Sequence, residues 1–299
     1  MKKANQHLNS IFCVNKEMIP NHGEDCFYYD ADGNDFIIAA FDGCGGSGSK
    51  KYENFSGKTG AYIGSRAVCG GVKGWFEQSR KNDTMVNYIG KALEICNSYA
   101  DKAGRIMGSL GKSFPTTAAI VTGSLSKNGV GVNCFWAGDS RCYLLDADGL
   151  HQLTEDDLDG QDAMSNLLND GVMTNVISAG SSFDLHIKSK PVNYPCILLT
   201  ATDGCFGYLK SPMEFEYLLL DTLVNSESLY EWRLGLYNRI QSVAGDDFTL
   251  CTAICGYKDF SEIKKRFLKR LEYLKTIYID TDEDVLLLWE NYKKSYMTF

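Results

Sequence analysis

A strand pattern that ends in an acid is the feature that most constrains the fold of this chain. Residues 36–46 read FIIAAFDGCGG, so a run of apolar and small residues stops at Asp42 and glycines follow it. Such a run predicts a buried strand that presents a carboxylate at its C-terminal end. The glycines allow backbone to approach whatever that carboxylate binds. The pattern recurs at residues 197–204, ILLTATDG, which stop at Asp203 and Gly204.

Further acids at strand ends suggest what the two strands are for. One strand that ends in Asp-Gly is ordinary turn chemistry. Two such strands favour a carboxylate-built metal site when the pairs Glu24-Asp25 and Asp246-Asp247, and Asp139 in the turn AGDSR, are added. Magnesium and manganese prefer oxygen ligands. Two such ions that share a carboxylate can lower the pKa of a water between them and make it a nucleophile.

Composition excludes some classes of function. The 299 residues are 44% apolar and 23% charged, as in an ordinary globular protein of one large domain or two small ones. The net charge is −8 and the pI is near 5.1. Non-specific binding to nucleic acid or to a membrane surface needs basic patches, so we expect neither partner.

The cysteines indicate the compartment. There are 11 of them, an odd number, without a Cys-x-x-Cys pair. The first residues show no apolar segment behind their lysines, and no stretch approaches the length of a membrane span. The sequence therefore predicts reduced, mostly buried thiols in a cytoplasmic protein, and it argues against a zinc site.

The order of predicted elements indicates the fold class. Turn signals at residues 32–34, 127–129 and 146–149 separate short strand patterns, which favours antiparallel hairpins over strand–helix alternation. Residues 45–49 are predicted to form a loop, and residues 248–255 the last strand. Helical periodicity occupies five ranges: 57–79, 84–110, 163–168, 212–223 and 229–243. The prediction is an α+β fold in which helices cover antiparallel sheet.

The character of the chain changes near residue 260. Residues 261–276 and 282–296 read as amphipathic helices, with Ile263, Phe267, Leu271 and Leu274 on one face of the first and a Lys/Arg cluster on the other. We predict a domain over residues 1–259 and a two-helix extension over 260–299. The extension is expected to pack on the domain or on a partner.

The acids and their flanking residues together resemble a known family. The resemblance rests on six segments in order: Glu24-Asp25, FDGCGG at 41–46, PTTA at 115–118, AGDSR at 137–141, ATDG at 201–204 and GDDFT at 245–249. This order and spacing is similar to that of the metal-dependent protein phosphatases of the protein phosphatase 2C (PPM) type, including bacterial members, over residues 11–257. The resemblance implies a β-sandwich of two antiparallel sheets flanked by pairs of antiparallel helices.

The resemblance also implies roles for individual residues. Asp42 would bridge two Mg²⁺ or Mn²⁺ ions, and the backbone carbonyl of Gly43 would bind one of them. Glu24 would hold the second ion, while Asp203 and Asp246 would hold the first. The four acids would thus be the catalytic residues. Residues 116–117 and 138–141 would form the framework beside the site.

Three positions depart from the family pattern. Members usually carry a phosphate-binding arginine four residues before the Glu24 position, where this chain has Pro20, and a proline offers no side-chain donor. Cys44 lies where eukaryotic members often have a histidine, and it is expected to be a small buried thiol. Gly207 replaces an acid that would serve a third metal together with Asp139. Nearby cations, none of them matching the motif, are Lys16, His22, Lys50 and Lys51.

The leading hypothesis is therefore a cytoplasmic, magnesium- or manganese-dependent phosphatase acting on phosphoserine and phosphothreonine in a phosphoprotein substrate. A second hypothesis is a non-catalytic pseudophosphatase that acts as a binding or regulatory module, with a partner bound through the C-terminal helices. A third is a metal-dependent hydrolase of another ester on the same scaffold.

Overall fold

Two five-stranded antiparallel sheets stack face to face in the computed structural model, which describes residues 7–100, 113–160, 162–168 and 171–297. The strands are β1 (Leu8–Lys16), β2 (Cys26–Asp32), β3 (Asp35–Phe41), β4 (Lys51–Tyr52), β5 (Lys58–Thr59), β6 (Ser113–Thr116), β7 (Ala118–Leu125), β8 (Gly129–Ala137), β9 (Arg141–Asp146), β10 (Gly149–Gln152), β11 (Ile177–Ala179), β12 (His186–Asn193), β13 (Cys196–Ala201) and β14 (Phe248–Cys255). The helices are α1 (Gly45–Gly48), α2 (Gly60–Gln78), α3 (Met85–Tyr99), α4 (Ala163–Leu168), α5 (Pro212–Val224), α6 (Leu229–Gln241), α7 (Phe260–Leu274) and α8 (Val285–Tyr296).

The strand order brings distant segments side by side. One sheet runs β12-β8-β7-β3-β2, and the other runs β1-β14-β13-β9-β10. The predicted hairpin at residues 32–34 joins β2 to β3, with Asp32 opposite Asp35. In the second sheet, β1 pairs with β14, so the first and last strands of the sandwich are neighbours. Two short ribbons, β4–β5 and β6–β11, lie outside the main sheets.

Side-chain alternation along β3 explains why both faces of its sheet are covered. Ile37, Ala39 and Phe41 point to the side covered by α2 and α3, whereas Phe36 and Ile38 point between the two sheets. A strand buried on both faces reads as a continuous apolar run, which is why this segment dominates the sequence. The layer between the sheets also contains six cysteines: Cys13, Cys134, Cys142, Cys196, Cys251 and Cys255.

Three helices begin at a side-chain cap followed by a glutamate. Ser211, Ser228 and Asp259 accept hydrogen bonds from the backbone N–H groups of the glutamates three residues later. Such caps satisfy donors that the first helical turn leaves free. They fix where α5, α6 and α7 begin, and therefore which faces these helices present to the second sheet.

The predicted α+β sandwich of two antiparallel sheets is confirmed, while several local predictions need correction. Residues 45–48 form the short helix α1 instead of a loop. Strand β11 was not anticipated. Helix α3 ends at Tyr99, and the part of its predicted range from residue 101 to 110 lies outside the described residues.

Helix α7 packs on α5, and α8 packs on β10 of the second sheet. Ile263 and Phe267 of α7 and Trp289 and Tyr292 of α8 are buried in the same apolar cluster as side chains of that sheet. The apolar face predicted from the periodicity is thus covered by the chain itself. A division of the chain at residue 259 stays a prediction. No described helix is both long and apolar enough to cross a membrane.

One ion pair anchors the extension. Glu216 of α5 is fully buried, and Arg270 of α7 donates to both of its carboxylate oxygens over 2.7 and 2.9 Å. The hydroxyl of Tyr292 in α8 donates to one of the same oxygens over 2.5 Å. The buried carboxylate therefore joins three helices, and removal of one partner leaves an uncompensated charge.

We expect Arg270→Ala to lower the free energy of unfolding by about 3–5 kcal/mol, because Glu216 would stay buried without its cation. Arg270→Lys should lie between this variant and the wild type, because lysine keeps the charge but lacks the planar fork. Lys264→Ala on the same helix is the control. Lys264 pairs with the exposed Glu227, and such pairs contribute at most about 1 kcal/mol. Urea unfolding measures all three, and equal losses for Arg270→Ala and Lys264→Ala would contradict the assignment.

Candidate metal centre

The predicted site acids lie on separate connections of the sandwich. Glu24 lies in the β1–β2 loop, Asp42 directly after β3, and Asp139 in the β8–β9 turn. Asp203 follows β13 and Asp246 precedes β14. These side chains act on one another electrostatically, since Asp203, Asp139 and Asp246 all raise the pKa of Asp42. The fold therefore brings together acids that are far apart in the sequence.

Burial and mutual repulsion dominate the electrostatics of this acidic cluster. Desolvation, followed by the charges of neighbouring acids, raises the pKa of Asp42 well above its usual value. The same two causes raise the pKa of Asp203 to about 6 and that of Asp139 to about 8. Desolvation also raises the pKa of Glu24. Each ionised carboxylate is thus unfavourable here without added positive charge.

Hydrogen bonds to its backbone fix Asp42 in place. Its carbonyl oxygen accepts from the Thr116 hydroxyl over 2.6 Å and from the Thr117 N–H over 2.8 Å. The Thr117 hydroxyl in turn lies 2.6 Å from that of Ser140. These contacts involve the Asp42 backbone and not its carboxylate. Thr116 and Thr117 thus lie beside Asp42, and Ser140 lies beside Thr117; their role as a framework for a metal site stays a prediction.

Helix α2 holds Glu24. The Thr59 hydroxyl donates to its carboxylate, while Ser65 and Arg66 donate to its carbonyl oxygen over 2.5 and 3.1 Å. Gly43 passes so close that an added Cβ would lie 2.9 Å from this carbonyl oxygen and 2.5 Å from that of Ala61. Only glycine fits such an approach, and this explains why the acid at the end of β3 is followed by one.

The other acids of the two pairs hold the framework. Asp247 accepts from the N–H groups of Met18 and Glu24, both over 2.7 Å, and so fastens the β1–β2 loop to the start of β14. Buried Asp25 accepts from the Thr202 hydroxyl over 2.8 Å. Desolvation raises the pKa of Asp25 to about 8. Asp25 and Asp247 thus join separate segments of the chain, whereas Glu24 accepts from Thr59 and Asp246 accepts from the adjacent Asp247 N–H.

The donor chemistry of the cluster fits a hard divalent cation. One carboxylate oxygen of Asp139 is buried and has no hydrogen-bond partner among the described residues, and buried polar atoms normally have one. No three His, Cys, Asp or Glu side chains in the described ranges are arranged to enclose an ion by themselves. Magnesium commonly keeps several waters and takes one or two carboxylates directly. The cluster therefore fits ions that are bound largely through water.

Comparison with solved structures agrees with this architecture. The PPM Ser-Thr phosphatase MsPP from Mycobacterium smegmatis, in complex with cacodylate, matches with a TM-score of 0.56 at 14% identity, over 84% of this chain and 100% of that one. The serine/threonine phosphatase Stp1 from Staphylococcus aureus matches at 0.58 and 17%, over 86% and 100%. The chain has the PPM phosphatase fold. The serine/threonine phosphatase PstP/Ppp from Mycobacterium tuberculosis matches at 0.56 and 14%, over 83% and 99%.

No protein-family model and no curated protein sequence matches the chain. The resemblance to the PPM family is confirmed at the level of the fold, since identities of 14–17% establish no more than that. The metal-binding roles of Glu24, Asp42, Gly43, Asp203 and Asp246 stay predictions.

Two cationic side chains, Lys58 and Arg66, lie near Pro20, where the chain departs from the PPM pattern, and they were not predicted from the sequence. The Lys58 ammonium donates to the carbonyl oxygen of Asn21 over 2.5 Å, next to Pro20. It lies 4.4 Å from the centre of the Tyr62 ring, and the Arg66 guanidinium lies 3.6 Å from the same point. No local sequence pattern predicts this contact, because β5 and α2 meet the β1–β2 loop only in the folded chain.

These two cations border a cavity of about 470 Å³. Its apolar lining includes Phe55, Tyr62 and Ile63, and Lys58 and Arg66 stand at its edge. The β1–β2 loop that carries Glu24 is bound to the same two cations. The apolar recess and the loop that carries Glu24 thus share two cationic side chains, Lys58 and Arg66.

For metal-free protein, we expect the free energy of unfolding to fall as the pH rises from about 4 to about 8. Asp203 has a pKa of about 6 in the folded state, and Asp25 and Asp139 about 8. Unfolded aspartates titrate near 3.9, so the folded state holds more protons throughout this window. Stability is complete below the unfolded pKa and is lost as the folded groups ionise.

Urea unfolding in chelator at several pH values measures this effect. Asp139→Asn cannot ionise at that position, so its stability relative to wild type should increase steadily with pH. A constant difference between the two proteins across the window would refute the electrostatic description of the cluster.

Proposed function

We propose that this chain is a metal-dependent phosphoprotein phosphatase that hydrolyses phosphoserine and phosphothreonine. The observation that carries the proposal is the meeting of five acids from five connections of a PPM fold, with one buried Asp139 oxygen that has no hydrogen-bond partner among the described residues. A cluster so dense in carboxylates is costly to keep unless cations bind there.

The proposed ligands are the acids that the resemblance assigns to the metals. Asp42, Asp203 and Asp246 would hold one Mg²⁺ or Mn²⁺ ion with the Gly43 carbonyl, and Glu24 and Asp42 would hold a second. When bound, such ions lower the pKa of a water and offset negative charge on a phosphoryl group. The protein contributes rigidity. Thr59 orients the Glu24 carboxylate, and Thr116 and Thr117 fix the strand end that carries Asp42.

The test of the centre is hydrolysis of a phosphothreonine peptide with manganese, with magnesium and with chelator. Asp42→Asn and Asp203→Asn should each lower kcat at least about a hundredfold, since metal stabilisation of transition-state charge is worth several kcal/mol. Asp148→Asn is the matched control, because Asp148 is an exposed aspartate in the β9–β10 turn. Hydrolysis that survives chelator, or Asp42→Asn as active as Asp148→Asn, would refute the proposal.

Substrate phosphate would be bound by Lys58 and Arg66 instead of by the arginine that Pro20 replaces. Lys58 is only partly buried, and its ammonium already lies beside the β1–β2 loop. Arg66 is committed to the Glu24 carbonyl through one nitrogen and has further donors on its planar fork. The apolar recess behind these cations would take a side chain of the substrate next to the phosphorylated residue.

Lys58→Ala should reduce kcat/KM for the phosphopeptide about ten- to a hundredfold, mainly through KM, because a hydrogen bond to a charged group is worth about 1.5–3 kcal/mol. Lys58→Arg should retain most of the activity. The control is Lys51→Ala, which removes an exposed lysine from the other strand of the same ribbon. If Lys58→Ala and Lys51→Ala gave the same KM, Lys58 would have no role in phosphate binding.

A non-catalytic module is the second candidate, and two observations favour it. Pro20 removes a phosphate ligand, and the described acids do not enclose an ion without added water. Such a protein would gain no thermal stability from manganese, because only ligands that bind the folded state stabilise it. A Tm that does not depend on metal, without hydrolysis of any phosphopeptide, would therefore select this candidate.

Location and partners complete the proposal. We place the protein in the cytoplasm, with a phosphoprotein as its substrate. All eleven cysteines are free thiols, which fits a reducing compartment. A partner could reach the extension only through its outer surface, where Leu286 and Leu287 are exposed, because its inner face is buried against the second sheet.

A further inference from the structure

Eight of the eleven cysteines are arranged as four pairs in which one thiol contacts another. Two pairs lie directly opposite each other on neighbouring strands, between β1 and β14 and between β13 and β14. A third links β8 to β9, and the fourth links β2 to α2. The pairs are Cys13–Cys251, Cys196–Cys255, Cys134–Cys142 and Cys26–Cys69.

Three of these pairs are sealed between the two sheets. Each of their thiols is at most 5% exposed. Some also donate to backbone, as Cys251 does to the Ala39 carbonyl over 3.4 Å and Cys142 to that of Ile120 over 3.6 Å. A thiol that is inaccessible and hydrogen-bonded as a donor is a packing group and reacts slowly with oxidants.

The Cys26–Cys69 pair is different because it lies outside the sandwich. Both residues are partly exposed. Cys26 is the first residue of β2, and Cys69 lies in the middle of α2. Cys69 donates to the Phe27 carbonyl over 3.4 Å, so its sulfur is held against β2 beside that of Cys26. The positive charge of Arg66, one turn earlier on α2, acts on both sulfurs.

We propose that Cys26 and Cys69 are a site of reversible oxidation, at which a peroxide converts the two thiols into a disulfide within the chain. One sulfur attacks a peroxide oxygen and becomes a sulfenic acid, releasing water from hydrogen peroxide. The second sulfur then attacks the sulfenic sulfur, the S–S bond forms, and the S–O bond breaks with loss of a second water. Two thiols and one hydrogen peroxide thus give one disulfide and two waters.

The location of this bond gives it a structural consequence. Ser65 and Arg66 of α2 already bind the Glu24 carbonyl, two residues before Cys26. The disulfide would join the same two elements covalently. It would also close a loop that includes β3 and Asp42. The proposal does not rest on the proposed function, since the bond can form whether or not the acidic cluster is catalytic.

The experiment treats the reduced full-length protein with increasing hydrogen peroxide, blocks free thiols by alkylation, and maps disulfides by trypsin digestion and mass spectrometry. We expect a cross-link between the peptides 17–50 and 67–73, which a thiol reductant removes. Because Cys44 shares the first peptide with Cys26, fragmentation must assign the linked sulfur. A cross-link at Cys44, or at any of the three pairs between the sheets in preference to this one, would overturn the proposal.

Two variants test the pairing. Cys69→Ser should abolish the cross-link and leave Cys26 as a sulfenic acid that dimedone traps. Cys96→Ser is the matched control, because Cys96 is another partly exposed helical thiol, and it should leave the cross-link unchanged. If Cys69→Ser folds poorly, disulfide mapping on the wild-type protein still tests the pairing. If peroxide oxidised Cys96 in wild-type protein while Cys26 and Cys69 stayed unlinked, the site would not exist.

Discussion

Repulsion among carboxylates at one end of the sandwich is the interaction on which the rest of the structure depends. Asp203 raises the pKa of both Asp42 and Asp139, and Asp246 in turn raises the pKa of Asp203. Folding must therefore supply free energy to assemble them. Burial along strands covered on both faces supplies it. Thr116 and Thr117 donate to the Asp42 carbonyl, and the Asp247 carboxylate accepts from backbone N–H groups of the β1–β2 loop, so these segments are held in place. The cluster is thus a strained arrangement that a divalent cation would relieve.

Positively charged side chains lie near the acidic cluster in two distinct environments, buried and partly exposed. Arg141 lowers the pKa of Asp139 and Asp203, yet its own hydrogen bonds go to buried Asp156 over 2.6–3.2 Å. It is therefore a fixed, buried counter-charge of the acidic cluster. Lys58 and Arg66, in contrast, are partly exposed. Cations that remain accessible can bind an anionic substrate, while a buried one tunes the acids.

Local signals predicted the antiparallel α+β architecture, and the resemblance to the PPM family implied the sandwich. The apolar run into Asp42, the Asp32–Asn34 turn and the range of β14 all follow from period and turn chemistry. The order of acids indicated which connections bring acidic side chains together. The contacts that the sequence did not predict join residues that are distant along the chain. Asp247 accepts from the N–H of Glu24, and Lys58 donates to the carbonyl of Asn21. No local pattern encodes which of two adjacent acids is structural.

The thiol-rich layer between the sheets has a consequence for handling the protein. Six cysteines pack there as small apolar groups, protected by the strands on both sides. Unfolding would expose all six at once, in a chain that could then pair them in many wrong combinations or with other chains. In air, heating would thus trap the chain as scrambled covalent oligomers. Thermal inactivation would then be governed by the rate of unfolding and not by the folding equilibrium. Reductant in the buffer would therefore determine whether unfolded molecules can refold.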